Sequence, residues 1–281
     1  MLATTSVQCS MRVEVSSDEA PSHSVTSSTS ISVPSELIAA LGKARYVVAL
    51  TGAGISAESG LDTFRDAHTG LWARYDVREL ATPSAFEEHP KLVWDWYAWR
   101  RAEVAKAQPN PGHLALAALE RRMPRLLLIT QNVDGLHQRA GSKNVVELHG
   151  NIGRIKCSRE GTIVEHWEES GDAIPRCQAC GAPLRPDVVW FEEMLPAEAM
   201  AQAKAAANEC DVLLMVGTSA EVFPAAALPI YASRSGATLV EINTAETALS
   251  DLADYVLRGP AGVALPALLA SLAAPGGSGA M

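Results

Sequence analysis

Two short segments carry residue types that can do chemistry on a nucleotide. The first is Thr51-Gly52-Ala53-Gly54-Ile55-Ser56-Ala57, which directly follows the apolar run Tyr46 to Leu50. A strand that ends in Gly-x-Gly-x-x-Ala is a variant of the dinucleotide-binding turn. Its glycines let backbone amides approach a pyrophosphate and hydrogen-bond the oxygens. The same glycines also suit a plain strand-to-helix turn, so the loop alone decides little. The second is His149-Gly150, after the apolar run Val145 to Leu148. An imidazole titrates near neutral pH and suits general-base work. The carboxyl end of a strand is where open α/β sheets bind ligands.

The segment after the glycine loop argues against hydride transfer. A dehydrogenase shows a second strand there, with an acidic residue at its tip about 20 residues on. This chain reads Leu61-Asp62-Thr63-Phe64-Arg65-Asp66-Ala67-His68-Thr69-Gly70-Leu71-Trp72 instead, a polar loop without strand patterning. A dinucleotide site is compatible with this layout, but its nicotinamide is handled differently.

Five short apolar runs must position these residues: Tyr46 to Leu50, Leu126 to Thr130, Val145 to Leu148, Val212 to Val216 and Thr238 to Ile242. Near-continuous apolar runs of this length belong to a parallel sheet buried on both faces. Ala-rich helical stretches lie between several of them, such as Leu114 to Glu120 and Ala197 to Ala207. The alternation predicts an α/β fold, a Rossmann-like doubly wound parallel sheet. Two segments interrupt it: a Trp- and Arg-rich helical stretch over 66–110, and a cysteine-containing stretch over 153–187. Together they predict a smaller, helical and cysteine-containing domain beside a core of 34–65, 111–152 and 188–268. Pro34 and Glu36 suit the first turn of an opening helix. The Ser/Thr-rich residues 1–33, which include Cys9, and the Gly-rich residues 269–281 read as flexible tails.

The 281-residue chain is 48% hydrophobic and 20% charged, with a formal net charge of −9. That surface repels phosphate backbones, so nucleic acid is a poor partner. No apolar run is long enough to cross a bilayer, so no membrane role is expected. Five cysteines do not form a secreted disulfide framework, and the cytoplasm is the expected compartment.

Taken in order, Gly52-Ala53-Gly54-Ile55-Ser56, Phe64-Arg65-Asp66, Gln131-Asn132-Val133-Asp134, His149-Gly150 and Gly217-Thr218-Ser219 resemble the motifs of the sirtuins. The resemblance covers residues 35 to 268. It implies an enzyme that consumes NAD to remove acyl groups from protein lysines, releasing nicotinamide and O-acyl-ADP-ribose. It implies His149 as the base that takes a proton from a ribose hydroxyl. Asn132 and Asp134, with Gln131 beside them, would hold the nicotinamide amide. Gly52, Ala53, Gly54, Ser56, Gly217, Thr218, Ser219 and Asn243 would bind phosphate and ribose, with Ala261 near the adenine, and Arg65 would contact phosphate or help position the acyl oxygen. Phe64 would cover the ribose face. Val189, Trp190 and Phe191 would offer a backbone edge to the substrate peptide.

Tyr97 and Arg100 lie three apart, so they share one helix face. They resemble the Tyr-x-x-Arg pair of class III sirtuins, which remove succinyl, malonyl or glutaryl groups. Arg100 can pair with a terminal carboxylate, and Tyr97 can add a hydroxyl donor. Ala81 matches the small residue that leaves room for the longer chain. Some deacetylase activity is expected alongside. The resemblance also implies a zinc-ribbon-like small domain, with a structural zinc on two Cys-x-x-Cys pairs. Only Cys177-Gln178-Ala179-Cys180 is intact, because Cys157-Ser158-Arg159 is followed by Glu160. Three thiolates need a fourth donor. Glu160, Glu165 and His166 are candidates, or the module folds without metal. A plain deacetylase, a protein ADP-ribosyltransferase, a non-catalytic NAD-sensing module and an ordinary oxidoreductase are the competing readings.

Overall fold

A computed structural model describes residues 31–61, 77–168, 171 and 173–273. The large sheet has six parallel strands in the order β3-β2-β1-β7-β8-β9. They are β1 (Val47–Thr51), β2 (Leu126–Thr130), β3 (Val145–Glu147), β7 (Val212–Val216), β8 (Thr238–Asn243) and β9 (Tyr255–Arg258). A second sheet, antiparallel, has the order β5-β4-β6, from β4 (Gly150–Cys157), β5 (Ile163–Val164) and β6 (Leu184–Val188).

The central strands are apolar, save the threonines that close β1 and β2, because each side chain meets a helix layer on one face or the other. Val47 and Ala49 of β1, Leu126 and Leu128 of β2, and Val212, Leu214 and Val216 of β7 point into one core. That core is shared with α1 (Ser35–Lys43), α5 (Pro111–Arg122) and α9 (Ala261–Ala273). The alternate residues Val48, Leu50, Leu127, Ile129, Leu213 and Met215 enter the opposite core, with α7 (Ala197–Glu209) and α8 (Leu228–Arg234). The two-residue period of a strand thus sorts one apolar run into two cores.

The strands are in step at their carboxyl ends, where Thr51 pairs with Thr130 on one side and Val216 on the other. Gly52, Gln131 and Gly217 therefore leave the sheet side by side. Chain order reverses between β1 and β7, which is the switch point where open α/β sheets form a ligand crevice.

The helices α2 (Val77–Leu80), α3 (Pro83–Glu88) and α4 (Pro90–Lys106) pack on one another, and α4 packs on β4 and β6 of the second sheet. Thr82 caps α3 by accepting from Ala85 N, and a proline opens both α3 and α4, the position where its missing N–H costs nothing. One face of α4 (Val93, Trp96, Tyr97, Val104) joins Leu80, Ala81, Phe86, Ile152, Val188 and Trp190. Trp94, on another face, packs with Ile155, Cys157, Cys177 and Leu184 of the cysteine-bearing sheet.

Several boundaries differ from those the sequence predicts. Pro34 stands just outside α1 as its N-cap. Ile31 and Val33 pack against the first core, as do Leu269 and Leu272 on α9. The ordered fold therefore reaches beyond 34 and 268 at both ends, because those apolar side chains find partners. The smaller sheet begins at Gly150 and ends at Val188, outside the expected limits 153 and 187, because pairing starts at Gly150↔Val188.

Candidate functional site

The glycine loop is held against the loop after β7 by backbone contact. Gly54 N donates to Gly217 O at 2.8 Å, and Gly52 N to Val216 O at 3.0 Å. A Cβ on Gly52 would lie 2.8 Å from Gly217 O, and one on Gly54 2.8 Å from Gly217 Cα. Only glycine allows this approach. Gly217 has a positive φ of 57°, which glycine adopts without strain. Thr218 is buried; its hydroxyl accepts from Gln131 Nε2 at 2.9 Å and its carbonyl from Asn243 Nδ2 at 3.0 Å. Ser219 follows, half-buried. Ala261 opens α9 with its backbone against Gly112, and Gly262 N donates to Glu58 at 2.6 Å. Gly52, Ala53, Gly54, Ser56, Gln131, Gly217, Thr218, Ser219 and Asn243 thus converge on one crest. Phe64 and Arg65 lie outside the described residues.

Below the crest is a polar network that only one local sequence pattern marks. Ser56 is buried. Its hydroxyl donates to Asp134 Oδ2 at 2.7 Å and accepts from Asn132 Nδ2 at 3.2 Å. His113 Nε2 lies 3.4 Å from the same oxygen, while His113 Nδ1 accepts from Asn110 N at 3.3 Å. That acceptance leaves the ring proton on Nε2, facing Ser56. Asn132 Nδ2 also donates to Gly52 O at 3.0 Å, and Asp134 Oδ1 accepts from Leu136 N at 2.8 Å. His137 Nε2 meets Thr51 Oγ1 at 2.9 Å, and Thr51 Oγ1 donates to Thr130 Oγ1 at 2.9 Å. The two imidazole rings are 4.9 Å apart. Burial lowers His113 against the pull of Asp134, and pushes His137 down to about 3, so both are neutral and rigid supports. The legible signal was Asn110-Pro111-Gly112-His113: Asn110 and His113 form a reciprocal cap with proline at the first helical position.

His149 sits between the two sheets. Its Nδ1 lies 2.8 Å from the Gln131 carbonyl. A carbonyl only accepts, so Nδ1 carries the proton and Nε2 keeps the lone pair, which is the tautomer a base needs. Burial lowers its pKa, against the carbonyl hydrogen bond that raises it. Gly150 has φ of 80°, and a Cβ there would collide with Asp187 O. That close approach lets β4 pair with β6 immediately after the histidine.

The His149 carbonyl accepts from Val189 N at 2.9 Å. Trp190 N donates to Glu193 Oε2 at 2.8 Å, and Glu193 is ion-paired to buried Arg185 at 2.6 Å. The Arg185 guanidinium lies 3.3 Å over the Trp190 ring. Phe191 N donates to Ala81 O at 2.9 Å, so the segment 189–191 is tied to His149, to Arg185 and to Ala81. Tyr97 is buried, and its hydroxyl accepts from Trp190 Nε1 at 3.0 Å. Burial pushes that phenol well above its ordinary value, so it stays a neutral donor. Arg100 is half-buried, its guanidinium 5.8 Å from the Trp96 ring.

The three thiols of Cys157, Cys177 and Cys180 lie within 4.8 Å of one another, with Cys157 and Cys180 3.5 Å apart. Sulfur donors clustered this tightly fit zinc. An ion there would cross-link β4 to the turn before β6.

A family model described as the Sir2 family matches residues 52–224. The chain belongs to the Sir2 family, the sirtuins. It is 51% identical over 245 residues to a Methylococcus capsulatus protein named NAD-dependent protein deacylase, covering 84% of this chain and 96% of that one. A protein of the same name from Pyrococcus furiosus is 50% identical over 236 residues, covering 82% and 94%. Among solved structures, a Sir2 homologue–NAD complex superposes with a TM-score of 0.81 at 45% identity, covering 87% of this sirtuin and 95% of that chain. A Sir2–p53 peptide–NAD+ complex superposes with a TM-score of 0.72 at 34% identity, covering 84% and 97%. No helix among the described residues of this sirtuin is long and apolar enough to cross a membrane.

Proposed function

We propose that this sirtuin is an NAD-dependent protein-lysine deacylase that prefers acyl groups ending in a carboxylate. NAD, when bound at the crest, supplies the ribose carbon to which the acyl oxygen is transferred as nicotinamide leaves. The remaining work falls to the protein's own groups. Gly52, Gly54 and Gly217 bring backbone close enough to cradle phosphate. Asn132 and Asp134 are pinned through Ser56, so they can hold a carboxamide in one orientation. His149, with its lone pair on Nε2, takes a ribose hydroxyl proton. The substrate backbone lies along Val189–Phe191; the three N–H groups are committed to His149, Glu193 and Ala81, so the Val189 and Phe191 carbonyls accept from it, a backbone mode that tolerates varied protein sequences. In this reading, the segments 66–110 and 153–187 serve as the small domain that carries acyl selection.

The observation that supports the acidic-acyl preference is the tether between Tyr97 and Trp190. It places the Tyr-x-x-Arg pair of α4 one hydrogen bond from the segment bonded to His149. The Tyr97 hydroxyl accepts from Trp190 and keeps its own proton to donate. Arg100, one turn further along α4, supplies the charge for a carboxylate. Ala81 lines the same cluster with a single methyl.

Acetyl, malonyl, succinyl and glutaryl versions of one lysine peptide, each incubated with NAD and read by mass, test this. The expected result is faster release of the three acidic groups, each matched by acyl-ADP-ribose. Acetyl removal as fast as succinyl removal would refute the preference, and label from NAD appearing on protein would refute deacylation.

A further inference from the structure

The cysteine module contains the same turn twice. At Cys157-Ser158-Arg159-Glu160-Gly161-Thr162, Gly161 N donates to Cys157 O at 3.0 Å and Cys157 N to Thr162 O at 2.9 Å. At Cys177-Gln178-Ala179-Cys180-Gly181-Ala182, Gly181 N donates to Cys177 O at 2.8 Å and Cys177 N to Ala182 O at 2.8 Å. The fifth residue of each is a glycine in the left-handed region, with φ of 69° at Gly161 and 71° at Gly181. The turns are clasped together: Ser158 N donates to Pro183 O at 3.1 Å, and Cys157 pairs with Leu184 across β4 and β6. Backbone geometry therefore makes the fourth position of each turn equivalent. In the second turn that position holds Cys180, a member of the thiol cluster. In the first it holds Glu160.

We propose that Glu160 is the fourth ligand of a zinc site, completing the set of three thiolates from Cys157, Cys177 and Cys180 with one carboxylate. Its backbone is already committed, since Glu160 N donates to Cys157 Sγ at 3.5 Å. Its side chain is exposed, and among the described residues no fourth His, Cys, Asp or Glu joins the three thiols within 4.8 Å. The carboxylate closes the site by rotating inward. Reach is not limiting, because a glutamate oxygen stands four bonds from Cα and a cysteine sulfur two. Carboxylate oxygen is an accepted zinc donor beside thiolate. Glu165 and His166, the other nearby donors, follow β5 and are exposed, with no equivalent in the second turn to direct them inward. The site is one harder oxygen away from four thiolates, so it holds zinc less tightly than a complete pair of Cys-x-x-Cys turns would.

The test is a zinc titration of the full chain against a chromophoric chelator, with variants at each candidate donor. Wild type is expected to bind one equivalent. Glu160→Ala should weaken binding by at least ~10-fold, using the cost of losing even an outer-shell group as a lower bound. Glu160→Cys should tighten it, and cobalt(II) substitution should then show stronger sulfur-to-metal charge-transfer absorption. Glu165→Gln and His166→Ala should match wild type. Because Glu160 is exposed, metal-free Glu160→Ala should melt with metal-free wild type, which separates ligand loss from misfolding. Equal affinity of wild type and Glu160→Ala, a loss confined to Glu165→Gln or His166→Ala, or no stoichiometric binding by wild type would overturn the assignment.

Discussion

Arg100→Met is the sharpest probe of acyl selection. The substitution keeps an unbranched chain of similar bulk over the Trp96 ring and removes only the charge and its hydrogen-bond donors. The cation–π contact with Trp96, at 5.8 Å on a half-buried side chain, contributes on the order of 0.5–1 kcal/mol. The fold should therefore survive. A charge-assisted hydrogen bond to a carboxylate contributes about 1.5–3 kcal/mol. At about 1.4 kcal/mol per tenfold, that is a loss of roughly 10- to 150-fold in kcat/KM for succinyl-lysine. Acetyl-lysine presents no carboxylate and should change by less than about threefold. The assay is initial rates on matched acetyl and succinyl peptides at saturating NAD, with the melting temperature as a control for folding. Equal proportional losses on both peptides would show that Arg100 supports the structure and does not read the acyl terminus.

His149→Ala should keep the fold and lower turnover by roughly 10²- to 10⁴-fold; a folded variant with near wild-type rates would remove His149 from the base role. Because burial depresses the His149 pKa, the acid limb of the pH profile should fall below the ordinary histidine value of about 6.5; a midpoint above it would contradict the buried setting. Gly150→Ala must find room for a Cβ against Asp187 O at a φ of 80°. It should destabilise by more than the ~1 kcal/mol of an ordinary glycine substitution, seen as a lower urea midpoint; an unchanged midpoint would mean that β4 and β6 separate freely. His113 and His137 are neutral in the folded protein, whereas the unfolded chain protonates both as pH drops through about 6.5. Their contribution to stability is complete above that pH and declines below it, by ~1.4 kcal/mol per pH unit for each histidine. His137→Gln should flatten the decline between about pH 6.5 and pH 5, and an unaltered slope would refute the assignment.

The strands that build the crevice were legible because they are buried on both faces. β2 and β7 coincide with the runs Leu126 to Thr130 and Val212 to Val216, β3 and β8 differ from theirs by a residue at one end, and β1 differs by a residue at each end. β9 was not legible. It is an edge strand in which only Leu257 is fully buried, so Tyr255-Val256-Leu257-Arg258 carries no continuous apolar signal. The antiparallel sheet escaped for a related reason: β4 contains two glycines and two basic residues, and β6 contains Pro186. The crest was readable at Gly52, Gly54 and Gly217, where close backbone approach restricts the residue type. The supports beneath it were not. His113, His137 and Thr51 meet only after residues far apart in the chain are folded together; the cap Asn110-Pro111-Gly112-His113 marks His113 locally, and nothing local marks the other two. Arg185 and Glu193, which brace Trp190, are ordinary surface charges until burial pairs them.

Helix α4 has two attachments of different kinds. Trp96 and Tyr97 bind it to the segment around Trp190, whereas Trp94 binds it to the cysteine-bearing sheet. The glycine crest rests on neither, being anchored in the parallel sheet and its buried histidines. On the proposed function, the crest that would hold the dinucleotide and the α4 face that would read the acyl terminus therefore rest on different parts of the fold. Because β4 begins beside His149 and Ile152 N donates to Val133 O, slack in the cysteine module would travel both to α4 through Trp94 and to the base through β4, while the glycine crest keeps its seat on the parallel sheet.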